Sequence, residues 1–254
     1  MSSIPTPSPA PAAAAPIRPG SGAMFDGIAE RYDLLNSVMT FGMDRGWRKR
    51  TVDALTLQPG SRVLDLATGT AALALDIAER YPECYVIGLD PSANMLEVGR
   101  GKARELGLAN RVELRQGEAE SLPFEPDTFD GLSIAYGIRN VADRWQGLAE
   151  MARVVKPGGR IAILEATEAR GNPMALGARL YVHHVMPRIG AALSRAPEYR
   201  YLQTSIEAFP PPDSFARLME SAGLEVLDVR PLAFGTNCLF VATPRARGGE
   251  EGRS

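Results

Sequence analysis

Short apolar runs alternate with amphipathic stretches between residues 61 and 165, and this alternation limits the possible folds more than any other feature. The apolar runs are nearly continuous, which is typical of strands in a parallel sheet covered by helices on both faces. Parallel neighbours need crossover connections, and the amphipathic stretches are suited to be the crossover helices. The sequence therefore predicts an α/β fold made of right-handed β-α-β units.

The predicted elements of this part follow from the apolar pattern. The predicted strands are residues 62–67, 84–90, 112–116, 129–136 and 160–165, and the helices between them are residues 71–80, 92–106 and 142–155. Ser92 is expected to cap the second helix, because its hydroxyl can satisfy a free backbone N–H. Residues 156–159, Lys-Pro-Gly-Gly, are expected to turn sharply from helix to strand.

The order of elements changes towards the C-terminus. Residues 173–209 are apolar with scattered arginines and are expected to be helical, and Asp213 is expected to cap a further helix at 214–222. Two strands at 224–229 and 237–242 are joined by a short connection, which predicts one antiparallel edge strand. The predicted fold class is thus a mostly parallel seven-stranded sheet with helices on both faces.

The N-terminal region divides into a leader and a helical part. Residues 1–22 are rich in Pro and Ala and carry almost no charge, so we expect a disordered leader. Apolar residues then recur at helical spacing, and Gly42 and Gly46 are expected to divide them into two helical pieces. Residues 23–243 are predicted to form one domain with this helical lid, followed by a flexible tail at 244–254.

Charge and cysteine content exclude several classes of protein. The formal net charge is −2 and there is no long basic block, which argues against a nucleic-acid partner. Cys84 and Cys238 have no metal-like spacing, so a reducing, cytoplasmic compartment is favoured and no metal site is expected. No apolar run is long enough to span a bilayer, which leaves a peripheral contact with its inner face open.

Residues 63–70, V-L-D-L-A-T-G-T, read as a strand that enters a tight loop before a helix, where α/β proteins hold nucleotides. A pyrophosphate loop needs the pattern G-x-G-x-x-G, and only Gly69 is present at this turn. S-adenosylmethionine carries no phosphate, so the loop favours that cofactor over a dinucleotide. Asp65 and Asp90 both emerge near the carboxyl edge of the sheet, where Asp90 is suited to accept hydrogen bonds from ribose hydroxyls.

The polar loop at 116–124, Q-G-E-A-E-S-L-P-F, follows the third predicted strand. Its apolar end is suited to close over an adenine ring, with Glu118 accepting from the amine and the Ala119 N–H facing a ring nitrogen. An ordinary solvated acidic loop explains the same residues equally well.

Several motifs together resemble the ubiquinone/menaquinone-biosynthesis C-methyltransferase family. They are R-Y-D-L-L-N-S-V-M-T-F-G-M-D-R-G-W, D-L-A-T-G-T, G-L-D-P-S-A-N-M-L, A-E-S-L-P-F-E-P-D-T-F-D, Y-G-I-R-N-V, R-V-V-K-P-G-G-R-I-A-I-L-E, H-H-V-M-P-R-I-G, Y-R-Y-L-Q-T-S-I and F-P-P-P-D-S-F. The resemblance covers nearly all of the chain from Phe25 to Ala242. It implies a Rossmann-like class I methyltransferase fold, S-adenosylmethionine as methyl donor, and a polyprenylated hydroquinol of the menaquinone or ubiquinone type as acceptor.

The resemblance also implies site residues. Cofactor contacts would fall on Thr70, Asp90, Glu118 and Ala119, with Ala135 beside them. The family often has Gly-Asp where this chain has Ala71 and Ala72, Asn or Asp at Glu118, Ser at Ala135 and His at Asp44. With a negative φ, Ala71 would fit the start of a helix.

Tyr32, Arg139 and Asn140 are the catalytic candidates, on the strength of the R-Y-D and G-I-R-N motifs. The charge of Arg139 would lower the pKa of the acceptor hydroxyl, Asn140 would orient a water, and Tyr32 would complete the pocket from the lid. Without the motif, Arg139 reads as a surface ion-pair partner of Asp143.

Two questions stay open on the sequence. His183 and His184 lie on different helix faces, so they form a poor metal site, and one of them either lines the quinol pocket or lies on a polar surface. The alternatives to quinol methylation are a methyltransferase for another phenolic molecule, a non-catalytic scaffold in a quinone-synthesis assembly and, more remotely, a dehydrogenase. The oligomeric state and any such protein partners are likewise not determined by the sequence.

Overall fold

The structure is a computed structural model that describes residues 26, 29, 32–168 and 197–246. The predicted leader at 1–22, the last eight residues of the tail, both histidines and most of the apolar stretch at 173–209 lie outside the described residues. The division of the chain into leader, domain and tail therefore stays a prediction.

The described helices and strands follow each other in the predicted order. The helices are α1 (Tyr32–Met39), α2 (Asp44–Ala54), α3 (Ala72–Arg80), α4 (Ala93–Glu105), α5 (Arg144–Val154), α6 (Pro197–Glu207) and α7 (Pro212–Ser221). The strands are β1 (Arg62–Leu66), β2 (Tyr85–Asp90), β3 (Val112–Gln116), β4 (Phe129–Ala135), β5 (Val155–Ala166), β6 (Leu224–Leu232) and β7 (Asn237–Pro244). Single 3-10 turns lie at Ile138–Asn140 and Ala233–Gly235.

The seven strands form one sheet in the order β3-β2-β1-β4-β5-β7-β6. Strands β1 to β5 pair in parallel, and β7 pairs antiparallel with both β5 and β6. The predicted fold class is therefore confirmed. The strand that runs against the others, β7, lies one place in from the edge, and β6 forms the edge itself.

Alternate residues of the strands point to opposite faces of the sheet, and a hydrophobic core lies on each face. Val63 packs with Trp47 and Ile77 on the face covered by α2, α3 and α4. Its neighbour Leu64 points to the opposite face, where it packs in the core that includes Met151 of α5 and residues of α7. With both faces covered, the carboxyl edge of the parallel strands is the place left for a ligand.

Three local predictions need correction. Gly42 does separate the first two helices, with a left-handed φ of 73°, but Gly46 lies inside α2. Asp213 does not cap α7, which begins at Pro212 and has no side-chain cap. Residues 156–159 belong to β5, where they form an irregularity in the pairing with β4. The Ser92 cap is confirmed, since its Oγ accepts from the Met95 N–H at 3.1 Å.

Ala71 also differs from the expectation. It precedes α3 with a left-handed φ of 64°, where an L-residue costs about 1–2 kcal/mol. Its backbone N–H donates to the carbonyl oxygen of Thr68 at 2.8 Å, and its methyl group is fully buried opposite Gly99 of α4. Burial of the methyl group offsets part of the cost, by about 0.8 kcal/mol.

The loops after β1 and β4 touch at Gly137. A Cβ atom at Gly137 would lie 2.3 Å from the Cβ of Ala67, well inside van der Waals contact. The absence of a side chain at this position therefore lets the two loops lie side by side.

We predict that Gly137→Ala lowers the free energy of unfolding by about 1–3 kcal/mol, because the added methyl overpacks this contact. The measurement is urea denaturation. Gly101→Ala is the matched control, because it lies inside α4 with no atom within 4 Å of its Cβ position. It should leave stability unchanged or raise it by up to about 1 kcal/mol, and equal effects of the two variants would contradict the prediction.

Within the described part of the chain, no helix is both long enough and apolar enough to cross a membrane.

Candidate active site

A cavity of about 1360 Å³ opens at the carboxyl edge of the sheet, beneath α1 and α2. This exceeds the 300–1,000 Å³ that is usual for a single small ligand, so a donor and an acceptor have room side by side. Six of the predicted site residues line it: Tyr32, Asp65, Gly69, Thr70, Ala135 and Arg139. The described lining does not include Asp90, Glu118, Ala119 or Asn140.

Asp65 is buried under the loop that follows β1. Its carboxyl oxygens accept hydrogen bonds from Thr68 Oγ1 and from Ser133 Oγ of β4, each at 2.6 Å. Burial raises the pKa of Asp65 to about 7, although the two hydroxyl groups act in the opposite direction. The side chain thus fastens the loop to the neighbouring strand.

Asp90, at the end of β2, holds the same loop from the side. One carboxylate oxygen accepts from the Gly69 N–H and the other from the Ser92 N–H, both at 2.8 Å. Burial raises the pKa of this carboxyl, and the backbone donors oppose the shift. The N–H of Gly117 donates to the Asp90 carbonyl oxygen at 3.2 Å, which brings the loop of Glu118 and Ala119 next to Asp90.

The residues of the β1 loop fit S-adenosylmethionine. A Cβ atom at Gly69 would meet nothing within 4 Å, so a ligand can approach the backbone closely there. Carboxyl groups of Asp65 and Asp33 border the same cavity, which suits a cationic sulfonium. No phosphate-binding glycine pattern is needed for such a ligand.

Helix α1 lies across this loop and is tied to it by Asp33. Thr70 Oγ1 donates to Asp33 Oδ1 at 2.6 Å, and the ammonium group of Lys102 in α4 binds the other Asp33 oxygen. Lys102 also donates to the Thr70 carbonyl oxygen at 3.3 Å. Asp26 makes a second tie, by accepting from the Ser92 hydroxyl. These two contacts of the lid were not predicted, because no sequence pattern pairs residues so far apart in the chain.

Arg139, in the 3-10 turn after β4, is buried and pairs with Glu165 at the end of β5. Its backbone N–H donates to Glu165 Oε2 at 3.1 Å, and its guanidinium binds Oε1. Burial opposes the charge of Arg139, but the Glu165 carboxylate raises its pKa overall, so it stays positive. The alternative of a surface pair with Asp143 is wrong.

Two of the tyrosines near this guanidinium, Tyr32 and Tyr136, line the cavity. The ring of Tyr136 lies below the guanidinium, with 6.0 Å from the guanidinium carbon to the ring centre, and its buried hydroxyl has no partner among the described residues. Burial raises the pKa of both Tyr136 and Tyr32, so both keep their protons at neutral pH. Tyr136 was not among the predicted site residues, although it directly precedes the G-I-R-N motif.

Asn140 is not part of the described lining of the cavity. Its Oδ1 accepts from the hydroxyl of Tyr201 in α6 at 2.8 Å. This contact supports a role in holding α6 against the turn that carries Arg139, and the predicted role in orienting a water stays untested. Across the described ranges, no group of histidine, cysteine and acidic side chains is arranged to hold a metal ion.

We predict that Asp65 makes the protein less stable as pH rises from about 4 to 7. Its pKa is about 7 in the folded state and about 3.9 unfolded, so over this interval the folded state holds a proton that the unfolded state has lost. Over the whole interval, Asp65 lowers the free energy of unfolding by about 4 kcal/mol.

Urea denaturation at several pH values, with Asp65→Asn against wild type, measures this contribution. The variant should gain relative stability as pH rises and level off above pH 7. The control Asp53→Asn should run parallel to wild type over this interval, because ion pairs lower the pKa of Asp53 in the folded state and it is therefore ionised in both states above about pH 4. Parallel curves for Asp65→Asn and wild type would refute the assignment.

Comparisons with known proteins agree with this geometry. A methyltransferase from Syntrophotalea carbinolica, named ubiquinone/menaquinone biosynthesis C-methyltransferase UbiE, is 45% identical over 226 residues, which are 88% of this chain and 94% of the relative. The demethylmenaquinone methyltransferase of Deinococcus radiodurans is 42% identical over 87% of this chain and 91% of its own length.

A solved SAM-dependent methyltransferase from Aquifex aeolicus superimposes with a TM-score of 0.57, at 19% identity over 77% of this chain and 88% of that one, which supports the fold alone. The predicted enzyme class, a methyltransferase that uses S-adenosylmethionine, is confirmed. The model of the ubiE/COQ5 methyltransferase family matches residues 20–244, and this chain belongs to that family.

Proposed function

We propose that this protein methylates a ring carbon of a polyprenylated hydroquinol in menaquinone or ubiquinone biosynthesis. The family membership and the names of the relatives support this acceptor class. The observation that carries the proposal is a buried, charged Arg139 in the wall of a cavity large enough for two ligands.

Arg139 supplies what ring methylation requires of a protein. A hydroquinol carbon becomes a good nucleophile when the neighbouring hydroxyl loses its proton, and a fixed positive charge lowers that hydroxyl's pKa. Because Arg139 is buried, its field is poorly screened by water, and the Glu165 carboxylate offsets part of that field. Tyr32 and Tyr136, both protonated, are in place to donate hydrogen bonds to the oxygen that becomes negative.

Beyond this, methyl transfer requires that the protein align S-adenosylmethionine with the hydroquinol. When bound, S-adenosylmethionine supplies the methyl group as an electrophile. The cofactor would be held by Gly69 and Thr70 on the methionine side, by Asp90 at the ribose, and by Glu118 and Ala119 around the adenine.

We predict that Arg139→Gln lowers kcat/KM for demethylmenaquinol about 10²- to 10³-fold, in the range seen when a donor that stabilises an oxyanion is removed. Gln keeps a donor for Glu165 but removes the charge. Affinity for S-adenosylmethionine, measured by calorimetry, should stay within about twofold. Arg115→Ala is the control, because Arg115 is an exposed residue that pairs with Glu113.

Full turnover by a folded, cofactor-binding Arg139→Gln variant would contradict the mechanism. Wild-type protein that binds no S-adenosylmethionine would instead favour the non-catalytic scaffold. Quinone mass spectrometry in cells that lack the protein identifies the acceptor, because the demethylated quinone must accumulate.

An apolar rim at the cavity mouth supports entry of the polyprenyl tail from a membrane surface. Phe41 and Phe234 both line the cavity and are 69% and 59% exposed. Both have a left-handed φ, which is unfavourable for a bulky residue. Exposed aromatic residues held in strained backbone suggest a binding surface rather than a packing role. A cytoplasmic protein in peripheral contact with the inner face of the membrane would account for both the exposure and the strained backbone of Phe41 and Phe234.

We predict that replacing Phe41 and Phe234 together by Asn raises KM for a long-tailed quinol at least about tenfold. This is the effect expected when two aromatic contacts that the bound tail would bury are lost. KM for a tail-free analogue should not change. Asn tolerates the left-handed backbone, so the fold should be retained. Liposome co-sedimentation should fall in parallel, whereas Leu227→Ser, an exposed apolar residue outside the cavity, should bind liposomes normally. Unchanged KM and unchanged co-sedimentation of the double variant would exclude Phe41 and Phe234 as a binding surface for the tail and the membrane.

A further inference from the structure

Glu165 is a fully buried carboxylate at the end of β5. Its partner on the neighbouring strand β7 is Cys238, which is buried as well. Burying a charge in such a place costs free energy, and a buried ion pair is weak evidence for stability, because apolar residues can often replace it. The presence of Glu165 therefore calls for a reason other than packing.

Two of the three hydrogen bonds described for the Glu165 carboxylate are with one neighbour, Arg139. Oε2 accepts from the backbone N–H of Arg139 at 3.1 Å, and Oε1 accepts from its guanidinium and from the Ala166 N–H, the latter at 2.7 Å. The same carboxylate thus holds both the main chain and the tip of the side chain. A residue held at both ends has little freedom to change its rotamer.

The pairing leaves one part of the guanidinium unused. Arg139 Nε is buried and has no hydrogen-bond partner among the described residues. Arg139 lines the cavity, whereas Glu165 is not part of its described lining. An unpaired buried donor is costly, so it is the group that a ligand oxygen would best satisfy.

We propose that Glu165 is a positioning residue for the methyl acceptor, and this rests on the proposed function of Arg139. Glu165 orients the guanidinium towards the acceptor hydroxyl, and its negative charge sets how far Arg139 lowers the pKa of that hydroxyl. The titratable groups near the guanidinium are Glu165, Tyr32 and Tyr136, with Tyr201 from α6. Arg144 of α5 donates to the Arg139 carbonyl oxygen at 3.0 Å. Glu165 is the carboxylic acid among these groups.

Two substitutions separate orientation from charge. Glu165→Gln removes the charge, so the field of Arg139 is no longer offset and the acidic limb of the pH profile of kcat should move down by at least about one pH unit. Glu165→Asp keeps the charge but shortens the side chain, so kcat should fall at least about tenfold while the limb stays in place. Both variants should bind S-adenosylmethionine within about twofold of wild type.

The assay uses the full chain with a short-tailed demethylmenaquinol kept reduced. Glu150→Gln is the matched control, because Glu150 also accepts from an arginine, Arg153, and from a backbone N–H, that of Leu122 at 2.8 Å, outside the cavity. It should shift neither kcat nor the limb. If Glu165→Gln does not fold, Glu165→Asp alone decides, and wild-type kcat in that variant overturns the proposal.

Loss of cofactor binding in step with activity in both variants would also overturn it, because that is the result of a purely structural role. Failure of the proposed function gives a different result, namely wild-type protein that binds S-adenosylmethionine but methylates no quinol. Calorimetry with 1,4-naphthohydroquinone then tests Glu165 directly. Weaker binding by Glu165→Asp than by wild type supports the proposal, and equal binding, or none by either protein, overturns it.

Discussion

The loop after β1 must turn sharply although it has only one glycine, and the geometry of the site depends on how this constraint is met. Ala67, Gly69 and Ala71 all have left-handed φ values, which two of them adopt at a steric cost. Asp65 from below and Asp90 from the side hold the loop by hydrogen bonds to a hydroxyl and a backbone N–H. Strain of this kind persists only where the surroundings over-determine it, and it is common at functional sites.

The two ends of the cavity carry different charged groups, each with a partner of opposite charge. Carboxyl groups surround the loop after β1, where a sulfonium would bind, and the charge of Arg139 lies at the end of β4, where a phenol would ionise. The parallel sheet brings both ends to one edge, so neighbouring strands supply opposite functions a short distance apart.

The sequence predicted well what depends on local pattern. The apolar runs located the strands, and their ends placed Asp65 and Asp90 at one edge. It failed where tertiary contacts decide: Ala71 is left-handed because the loop geometry demands it, against the preference of alanine. Arg139 was predicted as a catalytic residue from its motif, but its partner was not predicted, because strand pairing brings Glu165, 26 positions further on, beside it.

The contacts of Asp33 with Thr70 and Lys102 couple α1 to the loop after β1. A molecule that enters or leaves between α1 and the loop must break these bonds or replace them with its own. S-adenosylmethionine would bring a positive charge to this loop, and the cofactor left after methyl transfer would not. Its attraction to the carboxyl groups of the loop would then be weaker, which would favour its release.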